Sequence, residues 1–210
     1  MRTDDLIDAL AAGLEPVRPA RIHPLWVVGA LAASVVGVLL MLGLRPDLTV
    51  AMTGWAFWLK ALYSTAIAGA ALMLVTRLGR PGVNSHPALY AVLGIVGVAI
   101  AFAGVELALT PSGDWTRSWL GLTWTLCARN ILLMSVFAAP LIWLGARPLA
   151  PTRPMASGAA LGLLTGAIAA TAYGLHCPEA TAPFVATWYT LGMALAAAIG
   201  AVIGRFALRW

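Results

Sequence analysis

The chain has 210 residues, 61% of them hydrophobic and only 10% charged, with a formal net charge of +5. A mean hydropathy of +0.89 and six apolar stretches with short connections exclude a soluble globular domain, so the solvent of this chain is a bilayer. The basic pI of 9.9 comes from loop arginines, for which anionic lipid is the expected partner; no direct nucleic-acid binding is expected.

Residues 1–24 precede the first apolar stretch. Thr3 is placed to cap a short helix whose first turn carries Asp4 and Asp5, with Asp8 one turn on; acidic groups suit a helix N-terminus. Leu6, Ile7, Leu10 and Leu14 recur at helical spacing and form one apolar stripe, which Pro16 and Pro19 end. A helix this short is marginal alone in water. Membrane-surface helices favour a basic polar face, whereas this one is acidic, so it suits a basic, apolar-lined groove on a protein partner.

The six spans read as residues 25–44, 61–76, 88–109, 128–145, 155–175 and 183–204, with Phe57 to Leu59 able to lengthen the second. A bilayer-crossing helix needs roughly 20 apolar residues. The fold expected is therefore all-α, a polytopic membrane protein of six transmembrane helices occupying residues 25–210. No small-residue cleavage site follows the first span, which is expected to stay attached. Arg2, Arg18, Arg21, Arg77, Arg80, Arg147, Arg153, Arg205 and Arg209 fall on one side, while Arg45, Lys60, Arg117 and Arg129 fall on the other. The positive-inside rule then puts both termini in the cytoplasm of a bacterial inner membrane. Trp55, Trp58, Trp115, Trp119 and Trp124 lie at outer connections and read as interfacial anchors, with residues 113–126 as a short interfacial helix.

Small residues repeat every fourth position in the last two spans. They are Gly158, Gly162, Gly166, Ala170 and Gly174, then Gly192, Ala196, Gly200 and Gly204. Such stripes let backbones approach closely, so these two helices are expected to pack together.

Cys127 opens the fourth span and Cys177 follows the fifth, which puts both at the outer end. Three readings stand for them: a structural disulfide, inert thiols, or a reactive or metal-binding pair. With His176 and Glu179, the cysteines offer two sulfurs, a nitrogen and an oxygen to a soft or borderline metal. A membrane thiol oxidoreductase would call for a CxxC pair, which is absent, and no enzymatic role is expected. Glu106, Arg129 and Lys60 lie at similar depth; charge in a bilayer is costly, so Glu106 is expected to pair with Arg129 or Lys60.

The opening Thr3-Asp4-Asp5-Leu6-Ile7-Asp8-Ala9-Leu10 with Leu14-Glu15-Pro16-Val17-Arg18, the run Tyr173-Gly174-Leu175-His176-Cys177-Pro178-Glu179, and Phe184-Val185-Ala186-Thr187-Trp188-Tyr189 through Gly204-Arg205 together resemble the negative regulator of sigma F (NrsF-like) family. The resemblance covers essentially the whole chain. It implies an inner-membrane anti-sigma factor that sequesters an extracytoplasmic-function (sigma F-like) sigma factor. It also implies that the family's paired cysteines, associated with metal or oxidative stress, fall on Cys127 and Cys177. On this reading Asp4, Asp5, Leu6, Ile7, Asp8, Leu10 and Leu14 contact the sigma factor, and the only cofactor is a transient metal ion at the cysteine pair. A small membrane transporter or metal-efflux component is the alternative; it would move metal and have no need of residues 1–20. A structural membrane subunit with an inert disulfide is the third.

Overall fold

The computed structural model describes residues 2–12 and 21–208. Its elements are α1 (Thr3–Ala11), α2 (Pro24–Met41), α3 (Leu48–Ala51), α4 (Trp55–Leu78), α5 (His86–Leu109), a 3-10 turn (Ser112–Asp114), α6 (Trp115–Leu120), α7 (Trp124–Gly145), α8 (Pro154–Tyr173), α9 (Ala182–Phe184), a π-helical turn (Val185–Tyr189) and α10 (Thr190–Ala207). Among the described residues, six helical segments are long and apolar enough to cross a membrane. The second runs the full Trp55–Leu78, so Phe57 to Leu59 do lengthen it.

α1 forms, but Thr3 does not cap it. Arg2 takes the N-cap position with an extended backbone (φ −75°, ψ 151°), and Thr3 lies in the first turn. Asp5 reaches back to accept the Arg2 N–H at 3.0 Å, the reciprocal half of a capping box. Leu6, Ile7 and Leu10 are exposed, at 42%, 57% and 68%, so nothing among the described residues covers the apolar stripe. Leu14, Pro16 and Pro19 lie outside the described residues.

The bundle is organised around α8, with 14 of its 20 residues buried, and α10, α4, α7 and α2 pack on it. The α8–α10 contact is the closest. A Cβ added at Gly158 would meet the Gly200 carbonyl oxygen at 2.3 Å, and one at Gly162 the Ala196 oxygen at 2.2 Å. Only small residues permit this approach, as the four-residue spacing implied. The stripe is shorter than its sequence period, however. Gly192 faces Ile131 of α7, and Gly174 lies past the end of α8 beside the Thr171 carbonyl.

α5 is peripheral: of its 24 residues only Ala88, Val92 and Ala103 are buried. Large apolar side chains cover the outside of the bundle, among them Leu40 at 78% and Val98 at 71% exposure. Two ends can be distinguished. One carries Arg77, Arg80, Arg147 and Arg153; the other carries both cysteines and the long connections.

Candidate functional site

The segment between α8 and α9 is where the cysteine end is tied together. Pro178 breaks regular structure there, leaving backbone carbonyls that no helix satisfies. Lys60 of α4, only 4% exposed, supplies the missing donors: its Nζ donates to the Cys177 carbonyl at 2.9 Å and to the Glu179 carbonyl at 3.0 Å. Arg45, just past α2, adds a bond from Nη1 to the same Cys177 carbonyl at 3.3 Å. Two 2.7 Å bonds from its guanidinium to Asp47 fix its orientation. The Arg45 guanidinium in turn holds the Asp47 carboxyl below its usual range.

The side chains of the segment reach the remaining elements. His176 Nδ1 lies 2.9 Å from the Gly43 carbonyl. Glu179 Oε1 accepts the backbone N–H groups of Leu122 and Thr123 at 2.7 and 3.1 Å and the Thr123 hydroxyl at 3.2 Å. Those amides lie in the turn leading into α7, where a carboxylate is favoured. Gly121 makes this possible. Its φ of +60° suits glycine, and a Cβ there would sit 2.7 Å from the Glu179 carboxyl carbon. Thr181 donates to the Ser118 carbonyl at 2.7 Å.

Glu106 corrects the expectation of an ion pair. Its Oε2 accepts the Ala182 N–H at 3.0 Å, a donor left open at the start of α9. Among the described residues the salt bridges are Arg2–Asp4 and Arg45–Asp47, and neither Lys60 nor Arg129 takes Glu106. Trp119 and Trp124 are more than separate anchors. Both pack on Trp188, with ring centroids 6.2 and 5.2 Å away, and Trp188 Nε1 donates to the Trp119 carbonyl at 2.9 Å. Residues 113–126 form not one interfacial helix but α6, a turn at Gly121 and the start of α7.

Inside this frame the two thiols meet. Cys127 and Cys177 are both free and fully buried, and they lie within hydrogen-bonding reach of one another. The Cys127 thiol, as donor, holds the Cys177 thiol below its ordinary value, to about 6; burial opposes this and the Lys60 ammonium adds to it. Tyr173 and Tyr189, both buried, pack beside the pair with ring centroids 5.9 Å apart and planes tilted by 42°. The Tyr189 hydroxyl lies near Cys177 and is buried with no hydrogen-bond partner among the described residues. Asn130 lies one turn along α7 from Cys127 and is itself buried.

Of the four side chains expected to hold a metal, only the two cysteines converge. His176 and Glu179 are engaged with Gly43 and with the turn at residues 122–123. No group of three or more metal-ligating side chains assembles among the described residues. The sequence reading missed Lys60, Arg45, Tyr173 and Tyr189 as parts of this site. Helical spacing offered one signal, since Tyr173 stands four residues before Cys177.

No solved structure matches this chain. A curated relative, "Anti-sigma-F factor NrsF" of Caulobacter vibrioides (strain NA1000 / CB15N), is 42% identical over 219 aligned positions covering 100% of both chains. A second, "Probable anti-sigma-F factor NrsF" of Azospira oryzae (strain ATCC BAA-33 / DSM 13638 / PS), is 38% identical over 217 positions, again covering 100% of both. The sequence profile of NrsF, negative regulator of sigma F, matches residues 10–210, so nearly every element described above falls within it and the chain belongs to the negative regulator of sigma F family.

Proposed function

We propose that this chain is an inner-membrane anti-sigma factor with both termini in the cytoplasm. Residues 1–24 hold an extracytoplasmic-function sigma factor, and residues 25–210 form the membrane domain that controls the hold. Asp4, Asp5, Leu6, Ile7, Asp8 and Leu10 supply the contact together with Leu14. A nine-residue helix with its apolar stripe exposed is marginal alone in water and needs a partner to cover it. The relatives' names supply the partner's class.

The trigger in this reading is the Cys127–Cys177 pair. A two-electron oxidant such as hydrogen peroxide takes two thiols to one disulfide and two waters. A soft metal ion held by the two sulfurs alone, with loss of two protons, acts at the same place. Either event replaces a hydrogen-bonded contact at the centre of the segment that Lys60, Arg45, His176 and Glu179 tie to the neighbouring helices. The close-packed α8–α10 pair then carries the displacement to the opposite end. A 100-fold release needs only about 2.7 kcal/mol of differential binding between two states.

The observation that carries the reading is the convergence of both thiols on one hydrogen-bonded segment. The test is co-purification of a sigma F-type sigma factor with the full chain and with a chain lacking residues 1–20. Capture by the first and loss by the second is expected. Equal capture by both would move the contact to the arginine-bearing loops, and capture by neither would overturn the reading.

A further inference from the structure

Beside α5 the bundle is not closed. A cavity of about 600 Å³ lies between α4, α5 and the segment entering α10, with walls that include Tyr63, Ala91, Gly94, Ile95 and Ala99. It arises because α5 packs mainly on α4 and turns small residues toward it: a Cβ added at Gly94 would meet nothing within 4 Å. The cavity is elongated along α5. From Ala91 to Glu106 it follows about four turns of α5, ~22 Å. Trp55 and Phe102, edge to face at 6.4 Å, flank its outer part.

Its polar groups gather at one end. Lys60 and Glu106 both line it there. An ammonium has three N–H donors, and Lys60 commits two of them to the Cys177 and Glu179 carbonyls. Glu106 commits Oε2 to the Ala182 N–H. The wall thus offers one further donor beside a carboxylate. That combination accepts a neutral carbonyl and disfavours a second negative charge.

We propose that this slot is a binding site for one acyl chain of an outer-leaflet phospholipid, with its ester carbonyl at Lys60. The proposal rests on the membrane reading above. The slot runs along the helices, as an acyl chain runs along the bilayer normal. Its length, more than half of a ~30 Å hydrocarbon core, is that of an extended acyl chain whose end reaches past the midplane. The acidic Glu106 favours an ester over a free fatty acid. Ala180 and Ala182, which also line the slot, belong to the stretch that carries Cys177, so a seated chain supports the cysteine segment from the lipid side.

The full chain is reconstituted in phosphatidylethanolamine and phosphatidylglycerol vesicles containing a phosphatidylcholine with a diazirine midway along one acyl chain. After irradiation, labelled peptides are mapped. Labelling concentrated on residues 91–102, several-fold above the exposed faces around Leu40 and Val202, is expected. Gly94→Leu, which fills open space, should abolish this excess and leave the other faces labelled. Phe102→Ala, which widens the slot, should keep it. Equal labelling of slot and exposed faces, an excess unaffected by Gly94→Leu, or crosslinks from the slot to a second copy would each overturn the site. Loss of labelling on every face would remove the membrane reading along with it.

Discussion

Lys60 and Cys177 stand 117 residues apart in the chain, yet the ammonium of one lies 2.9 Å from the backbone carbonyl of the other. The contact is to the backbone of the cysteine, so it fixes where the sulfur sits without consuming it. Replacing Lys60 by Met keeps volume and removes two charge-assisted bonds. The expected cost is about 3 kcal/mol, read as a lower midpoint for thermal aggregation of the detergent-purified protein. An unchanged midpoint would mean that the segment is held by its other partners alone.

The depressed Cys177 thiol gives a pH signature. With this thiol held below its ordinary value, its thiolate forms at lower pH than that of a free cysteine, so alkylation by a small maleimide, slowed because the sulfur is buried, should rise at a correspondingly lower pH. Cys127→Ala removes the thiol that donates to it, and the midpoint should then climb toward the ordinary value of 9.0. By linkage, the stability this thiolate contributes is full above the unfolded-state value and is lost as pH falls through 6. A profile identical in both proteins would show that the two sulfurs do not interact.

Replacing both Cys127 and Cys177 by Ser should leave sigma-factor capture intact and abolish the response of capture to peroxide or to a soft metal ion. A double variant that still releases its partner on treatment would end the sensor role assigned to the pair.

The α8–α10 contact can be tested with a matched pair of glycines. Gly158→Leu drives a side chain into the Gly200 carbonyl and should cost more than about 3 kcal/mol. Gly69→Ala on α4 meets nothing within 4 Å, and ordinary helix propensity predicts a small gain of about 0.5 kcal/mol. If both variants melt alike, the small residues are not what sets the helix spacing.

On α1, Ile7→Asp with Leu10→Asp reverses the exposed apolar stripe without entering the bundle. Buried anchors at an interface are typically worth about 2 kcal/mol or more each. Capture of the sigma factor should therefore be lost while the melting midpoint stays fixed.

Much of this architecture could be read from the chain alone, for identifiable reasons. Helix lengths follow from apolar runs, and the glycine spacing of α8 and α10 announces a close approach because a period of four maps onto one helix face. That Cys127 and Cys177 lie at the same end of the bundle was legible in the sequence, whereas which of the alternatives for the pair holds was not. The partners of the charged groups were not legible either. Glu106 and Lys60 were expected to find opposite charges, yet both satisfy backbone groups that helices leave open: the first amide of α9 and the carbonyls around Pro178. A sequence displays its side chains but not its unsatisfied backbone, so pairings of this kind emerge only once the turns are built. The same holds for Thr3, displaced from the cap by an Arg2 backbone that any residue could have adopted.

The π-helical turn at Val185–Tyr189 has a consequence for chain length. Upstream, Phe184 must lie against Gly121 in the cluster that holds both sulfurs; downstream, Ala196 and Gly200 must face α8. Each residue of a helix advances its face by about 100°, so dropping one residue here straightens the helix but throws one of those two surfaces out of phase. Insertions or deletions should be tolerated in the exposed connection around Val50 and rejected between Pro183 and Gly192. This short stretch keeps the sulfur end and the glycine contact in register, as the spacing of teeth does for two gears on one shaft.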